Sequence, residues 1–263
     1  MTAWKKLEDI RAAFFDVDGT LVSLERNCEP ESTKEALRRL RANGIMPFLS
    51  TGRPKYTLQP LDLGGFVAFV TINGQYCYTR ERVLYKNPLN GHDVATVVGQ
   101  VRQGLYPALF QEAERCYVSD HSSRVRDMEH FANQSYPEGD LQWALDGDVY
   151  QINAYVYPGE EQQILDATDD LKVTRWTDKF VDVMPKHGGK SLGVLRMFDL
   201  FGLRPEETIC FGDGENDLGM FGVCGTSVAM GNAYDLVKRH ADHVTDDVDH
   251  DGIYNACVRL GLI

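Results

Sequence analysis

Five short apolar runs, each giving way to a small or acidic motif at its C-terminal end, constrain this chain more than any other feature. Residues 12–17 lead into Asp16-Val17-Asp18-Gly19-Thr20, 45–49 into Ser50-Thr51-Gly52-Arg53-Pro54 and 66–72 into Asn73-Gly74. Residues 208–211 lead into Gly212-Asp213-Gly214-Glu215-Asn216-Asp217, and 226–230 into Gly231-Asn232. Apolar runs this short, closed by turn residues, read as buried strands. Between them lies helical spacing. Ala36, Leu37 and Leu40 follow a Ser32/Glu35 capping-box pattern and stop at Asn43-Gly44, while Leu192, Leu195, Met197 and Phe198 mark a helix over 191–201. Strands separated by helices imply parallel pairing, so the expected class is α/β, with a three-layer Rossmann-like parallel sheet as its core. In such sheets the ligand crevice lies at strand carboxyl ends, where the strand order reverses.

The pattern changes midway. Residues 76–78 and 82–85 read as a small hairpin, and Asn87-Pro88 as a boundary. Beyond it, longer alternating strands (108–110, 149–157, 172–176) are mixed with helical segments near 92–103, 122–133 and 159–170. The expectation is an inserted α+β cap at 86–185 within a core made of 1–85 and 186–263, with 185–189 returning the chain and the active site between core and cap.

Composition excludes several function classes. A net charge of −12 opposes general nucleic-acid binding, which needs clustered Lys and Arg. The apolar runs fall far short of the roughly 20 residues of a membrane span. Residues 1–11 mix Lys5, Lys6, Glu8, Asp9 and Arg11 and have no apolar stretch of secretory type, and Cys28, Cys77, Cys116, Cys210, Cys224 and Cys257 are scattered without a paired motif. A cytoplasmic protein is expected. An anionic substrate in so acidic a chain requires local positive charge, which a divalent metal supplies compactly.

The motif residues suit phosphoryl transfer. Asp16 and Asp18, two apart on extended backbone, point the same way and can share a small volume with Asp213 when a hard cation such as Mg²⁺ sits among them. Asp16 is then the candidate nucleophile, and Asp18 the acid that protonates the leaving oxygen and the base that activates water. Thr51, the Gly52 amide, Lys190 and Asn216 are candidate donors to the phosphoryl oxygens, and Asp217 a support for Lys190 or for metal-bound water. Any one of these signals is commonplace: Asp-x-Asp occurs widely, and Gly-Asp-Gly alone is a turn. Four in order, each after an apolar strand, are not. The run His240, His243, Asp246, Asp247, Asp249, His250, Asp251 reads instead as an edge strand and solvated turn, and His187 as a loop residue with a lesser claim to substrate contact.

These residues resemble the haloacid dehalogenase-like hydrolase superfamily, and within it the Cof-type phosphatases with a large α+β cap. The match spans the chain: Phe15-Asp16-Val17-Asp18-Gly19-Thr20-Leu21, then Ser50-Thr51-Gly52-Arg53, then Lys190 in Gly189-Lys190-Ser191-Leu192-Gly193, then the motif at 212–217. Ile72-Asn73-Gly74, residues 228–233 and Asp251-Gly252 fit the subfamily. The resemblance implies magnesium held by the Asp16 and Asp213 side chains and the Asp18 carbonyl, phosphate contacts from Thr51, Gly52, Lys190 and Asn216, and supporting roles for Asp217 and Arg53. Members that dehalogenate lack an acid at the position of Asp18, so it also implies a phosphatase acting on a small phosphorylated metabolite, with a hexose phosphate the leading class. A sugar phosphomutase, a pyridoxal-phosphate phosphatase and a non-catalytic phosphate-ester-binding protein are the alternatives. Trp143, Trp176, Arg175 and Asp182 are the cap side chains considered for substrate contact, and a monomer or weak dimer is expected.

Overall fold

The computed structural model describes residues 4–58, 61, 65–132, 134–175 and 177–263, with the side chains of 131 and 132 left aside. In chain order, β1 (Ala12–Phe15), α1 (Glu31–Ala42), β2 (Met46–Ser50), β3 (Ala68–Thr71), β4 (Tyr76–Tyr78) and β5 (Val83–Lys86) come first. They are followed by α2 (Gly91–Arg102), β6 (Ala108–Gln111), β7 (Cys116–Val118), α3 (Ser123–Ala132), α4 (Gln142–Asp146), β8 (Gln151–Ala154), α5 (Gln162–Leu165), β9 (Leu171–Thr174) and β10 (Val181–Pro185). The remainder is α6 (Lys190–Phe201), β11 (Thr208–Gly212), α7 (Leu218–Phe221), β12 (Thr226–Ala229), α8 (Asp235–His240), β13 (His243–Val244) and α9 (Gly252–Arg259).

The chain forms two compact units, one of Met1–Arg53, Leu58–Lys86 and Gly189–Ile263, the other of Pro54–Thr57 and Asn87–Gly188. The first carries a sheet in the order β13-β12-β11-β1-β2-β3-β4-β5, parallel from β13 to β3, with β4 and β5 added antiparallel. Its central strand, Ala-Ala-Phe-Phe, is buried on both faces, as a parallel sheet between helices requires. Phe14 stacks on Phe48 at 4.6 Å and meets Phe198 of α6 edge-on, while Phe15, pointing the other way, stacks on Phe211 at 4.9 Å. Leu37 and Leu40 of α1 and Ile253 and Ala256 of α9 are buried where these two helices lie together.

The expected capping box does not form. Helix α1 starts two residues earlier, behind Pro30, whose fixed φ of −59° sets the entry and which offers no side-chain cap. Ser32 is inside the first turn, and the Glu35 carboxylate turns outward to Arg38 (2.7 Å) and Arg39 (2.6 Å).

The second unit carries an antiparallel sheet in the order β7-β6-β8-β10-β9. Ala108, Phe110, Ile152, Ala154, Val181 and Val183 line one face and bury the Val94, Val97, Val98 and Val101 stripe of α2. Strand β10 escaped the sequence reading; it ends on Pro185, the first residue of the expected return at 185–189, and 186–189 form the connection to the next helix. The helix expected over 159–170 is reduced to the single turn of α5. Trp176, considered for the cap, lies outside the described residues. No helix among the described residues is long and apolar enough to cross a membrane.

Candidate active site

Strand order reverses at β1, which has β2 on one side and β11 on the other, so the residues just beyond these three strands converge. Asp16 leaves β1 with its amide donating to the Phe211 carbonyl at 3.0 Å. The turn that follows needs Gly19. Its φ is +81°, and a Cβ there would lie 2.3 Å from Oδ2 of Asp213, so only glycine lets the first loop approach that carboxylate. Thr20, next in line, donates its hydroxyl to Asp213 Oδ1 at 2.9 Å. In sequence Thr20 is only the last residue of the Asp16–Thr20 motif, and no local spacing encodes this bond.

Lys190 begins α6 and is 2% exposed. Its position depends on the turn after β3, where Ile72, Asn73 and Gly74 all have positive φ. A Cβ on Gly74 would sit 2.4 Å from the Gly189 carbonyl, so this turn can abut the start of α6 only with glycine there. Lys190 Nζ then reaches Asp16 Oδ1 at 2.5 Å and Asp217 Oδ1 at 2.6 Å. Asp217 spends its other oxygen on the amides of Asp213 and Gly214, each at 3.0 Å.

One oxygen from each of Asp16, Asp213 and Asp217 lies within 4.8 Å of the others. Three carboxylates against one ammonium leave two negative charges in excess. Burial would lower the Lys190 pKa, but Asp16 and Asp217 outweigh it and hold the ammonium above the usual lysine range. Burial pushes Asp16 well up, with repulsion from Asp217 and Asp213 adding to the effect against the pull of Lys190. Asp213 is pushed up to about 7, first by burial and then by Asp217. Such a set is relieved by a proton or by a cation, and its all-oxygen chemistry suits a hard one. Oδ2 of Asp16 and Oδ2 of Asp213 take no hydrogen bond among the described residues, whereas both oxygens of Asp217 are engaged.

The family model for haloacid dehalogenase-like hydrolases matches residues 13–257. The chain belongs to that family. This hydrolase is 33% identical over 258 residues to a Bacillus subtilis (strain 168) protein named "Putative phosphatase YkrA", across 97% of this chain and 99% of the relative. Among solved structures it superposes on BT1666 of Bacteroides thetaiotaomicron, described among phosphatases of this superfamily, with a TM-score of 0.90 and 28% identity over 97% of this chain and 96% of that one. It also superposes on BT4131, described as a subclass IIB sugar phosphatase, with a TM-score of 0.85 and 34% identity over 96% of this chain and 100% of that one. By family and by these relatives the hydrolase is a phosphatase.

The Asp18 carboxylate departs from the expected shared volume. It turns to Arg53, which donates from Nε at 2.8 Å and from Nη2 at 2.5 Å, because a guanidinium fork satisfies a carboxylate better than two crowded neighbours of like charge. Asp217, read as a support for Lys190, does accept from it and is in addition the third acid of the buried group. Thr51 is buried beyond β2, its Oγ1 accepting the Arg53 amide at 3.0 Å. Asn216 is exposed and donates to Asn73 Oδ1 at 3.2 Å, so Asn73 adjoins one of the candidate donors.

The remaining candidates have structural partners. His243 stacks on Trp4 at 4.5 Å, Asp246 pairs with Arg259 at 2.8 Å, and among the described residues these acids and histidines form no metal-ligand group. His187 is exposed, its carbonyl accepting from Asn87. Arg175 binds the carbonyls of Val156, Thr177 and Phe180 and the Glu161 carboxylate, and so staples the second unit. Trp143 lies edge-on to Tyr117 under Arg115, and Asp182 accepts from Gln151 and Asn153.

Proposed function

We propose that this phosphatase is Mg²⁺-dependent and hydrolyses a small sugar phosphate monoester through a phospho-aspartate on Asp16. The observation that carries the reading is the buried Lys190–Asp16 contact at 2.5 Å, at the end of the central strand and beside two further acids. The sugar-phosphate assignment is supported by the likeness to BT4131.

In the first step an Asp16 oxygen attacks phosphorus while the bond from phosphorus to the substrate alcohol breaks. Asp18 gives a proton to the departing oxygen. To do so it must leave Arg53 and take up that proton, so the ion pair is the resting state of the acid. In the second step water loses a proton to Asp18 as it attacks phosphorus, the Asp16–phosphorus bond breaks, and inorganic phosphate departs. Thr51, the Gly52 amide, Lys190 and Asn216 donate to the phosphoryl oxygens, whose charge is spread in the transition state. Asp217 orients Lys190 and ties down the 213–214 amides. Mg²⁺ held by Asp16, Asp213 and the Asp18 carbonyl supplies, when bound, the positive charge that lets a dianionic ester approach a carboxylate.

The test is phosphate release from a panel of sugar phosphates, with Mg²⁺ and after chelation, for the wild type and Asp16→Asn. Release that needs Mg²⁺ and disappears in the variant is expected. Activity indifferent to Asp16 ends this reading, and an isomerised sugar phosphate in place of free phosphate indicates a mutase.

A further inference from the structure

We infer that Asn232 is a positioning residue for Asp18, acting through the Gly19 carbonyl, an inference that rests on Asp18 being the general acid. Asn232 follows β12 and its side chain is exposed, yet both ends of its amide are committed. Nδ2 donates to the Gly19 carbonyl at 2.8 Å, and Oδ1 accepts the Val248 amide at 3.0 Å. It thereby joins the loop after β1 to the loop after β13. The backbone leading into it is anchored twice, the Met230 amide to the Gly212 carbonyl at 3.0 Å and the Gly231 amide to the Asp246 carbonyl at 2.9 Å.

A restraint is needed at this carbonyl. Gly19 directly follows Asp18, has no Cβ to limit its torsions, and must keep φ near +81° beside Asp213. Asp18 must also exchange Arg53 for the leaving oxygen, which requires a fixed backbone beneath a moving side chain. The far end of the same loop is held by Asp249, which accepts the buried Ser23 hydroxyl at 3.0 Å and faces Arg26 Nε at 3.1 Å. The C-terminal acidic run thus clamps the first catalytic loop at two points, and Asn232 is the one adjacent to the acid.

A residue acting through a general acid leaves a signature that a merely structural one does not. A poor leaving group depends on proton donation and a good one does not, so an impaired acid steepens the dependence of rate on the leaving group's pKa. We would measure the first turnover of Mg²⁺-loaded enzyme, because the second half-reaction also uses Asp18, over a series from phenyl phosphate to 2,4-dinitrophenyl phosphate. Asn232→Asp keeps the shape and the acceptor to Val248 but loses the donor to Gly19, and Asn232→Ala removes both without adding charge. Each should slow phenyl phosphate about tenfold while leaving dinitrophenyl phosphate within about twofold, and neither should add to Asp18→Asn in a double variant. An unchanged slope, whether all rates fall together or none falls, overturns the inference. If Asp18→Asn itself leaves the slope unchanged, the acid assignment fails first and the inference falls with it.

Discussion

Arg53 grips Asp18 with both arms of its guanidinium, 2.8 Å from Nε to Oδ2 and 2.5 Å from Nη2 to Oδ1, in a pair whose side chains remain 28% and 41% exposed. An ion pair this open is worth at most about 1 kcal/mol. Asp18→Asn should therefore shift the urea midpoint by less than that equivalent, while turnover of an alkyl phosphate falls by about 10²–10⁴-fold. A large loss of stability alongside the loss of activity would show that Asp18 serves the fold and not the chemistry.

Lys190 is the opposite case. Its ammonium is fully enclosed between Asp16 and Asp217, so Lys190→Met strands two buried carboxylates with no cation, at a cost of about 3–5 kcal/mol. Combining it with Asp217→Asn removes one of those charges and should recover part of the loss, without restoring turnover. Urea denaturation of the two variants in chelator measures both effects, and identical stabilities would contradict the proposed charge balance.

A pH effect is expected in the second unit. Burial raises the Asp93 pKa, but the Asp169 and Asp170 amides, each at 3.0 Å, and the Asn90 side chain outweigh burial and hold the carboxyl below its usual range. A carboxylate lowered by folding stabilises fully above its unfolded pKa of about 3.9 and loses that contribution as pH falls through the folded value. Asp93→Asn should accordingly be less stable than the wild type at pH 7, and the gap should close on acidification below about pH 4. Equilibrium unfolding at both pH values checks this, and a gap that persists in acid would assign the loss to altered hydrogen bonding and not to charge.

Much of this fold was legible because strand runs such as 12–15 and 209–211 are buried on both faces and so read as unbroken apolar segments. Chemistry at their ends followed from the topology. What escaped the sequence was set by tertiary context. Strand β7 is three residues long and has no pattern of its own, and α9 begins directly after the solvated turn that ends at Asp251. At the site, sequence spacing put Asp18 beside Asp16, but spacing cannot weigh a guanidinium supplied by another strand end. Asp217, at the far end of its motif, comes back into the acid group because Asp213 and Gly214 donate their amides to it. Asn232, identified only as part of a subfamily pattern, joins two loops far apart in sequence, a contact that no local period encodes.

Two of the clustered acids, Asp213 and Asp217, should separate by their response to metal. Asp213 keeps Oδ2 open, and its carboxyl is pushed up to about 7 by burial and by Asp217, so ionising it in the metal-free protein costs stability that accumulates as pH rises through that value. Asp213→Asn removes this penalty while its amide oxygen can still accept from Thr20, and the chelated variant should melt above the chelated wild type at pH 8. Asp217 has both oxygens occupied by Lys190 and two amides, so Asp217→Asn breaks charge-assisted bonds and should melt below it. Adding Mg²⁺ to 100 times its dissociation constant should stabilise the wild type by about 2.7 kcal/mol. That gain should vanish in Asp213→Asn and survive, weakened, in Asp217→Asn, because only the former loses an oxygen open to the cation. Thermal melts of the three proteins with and without Mg²⁺ decide it, and a full Mg²⁺ response in Asp213→Asn would remove that residue from the metal site.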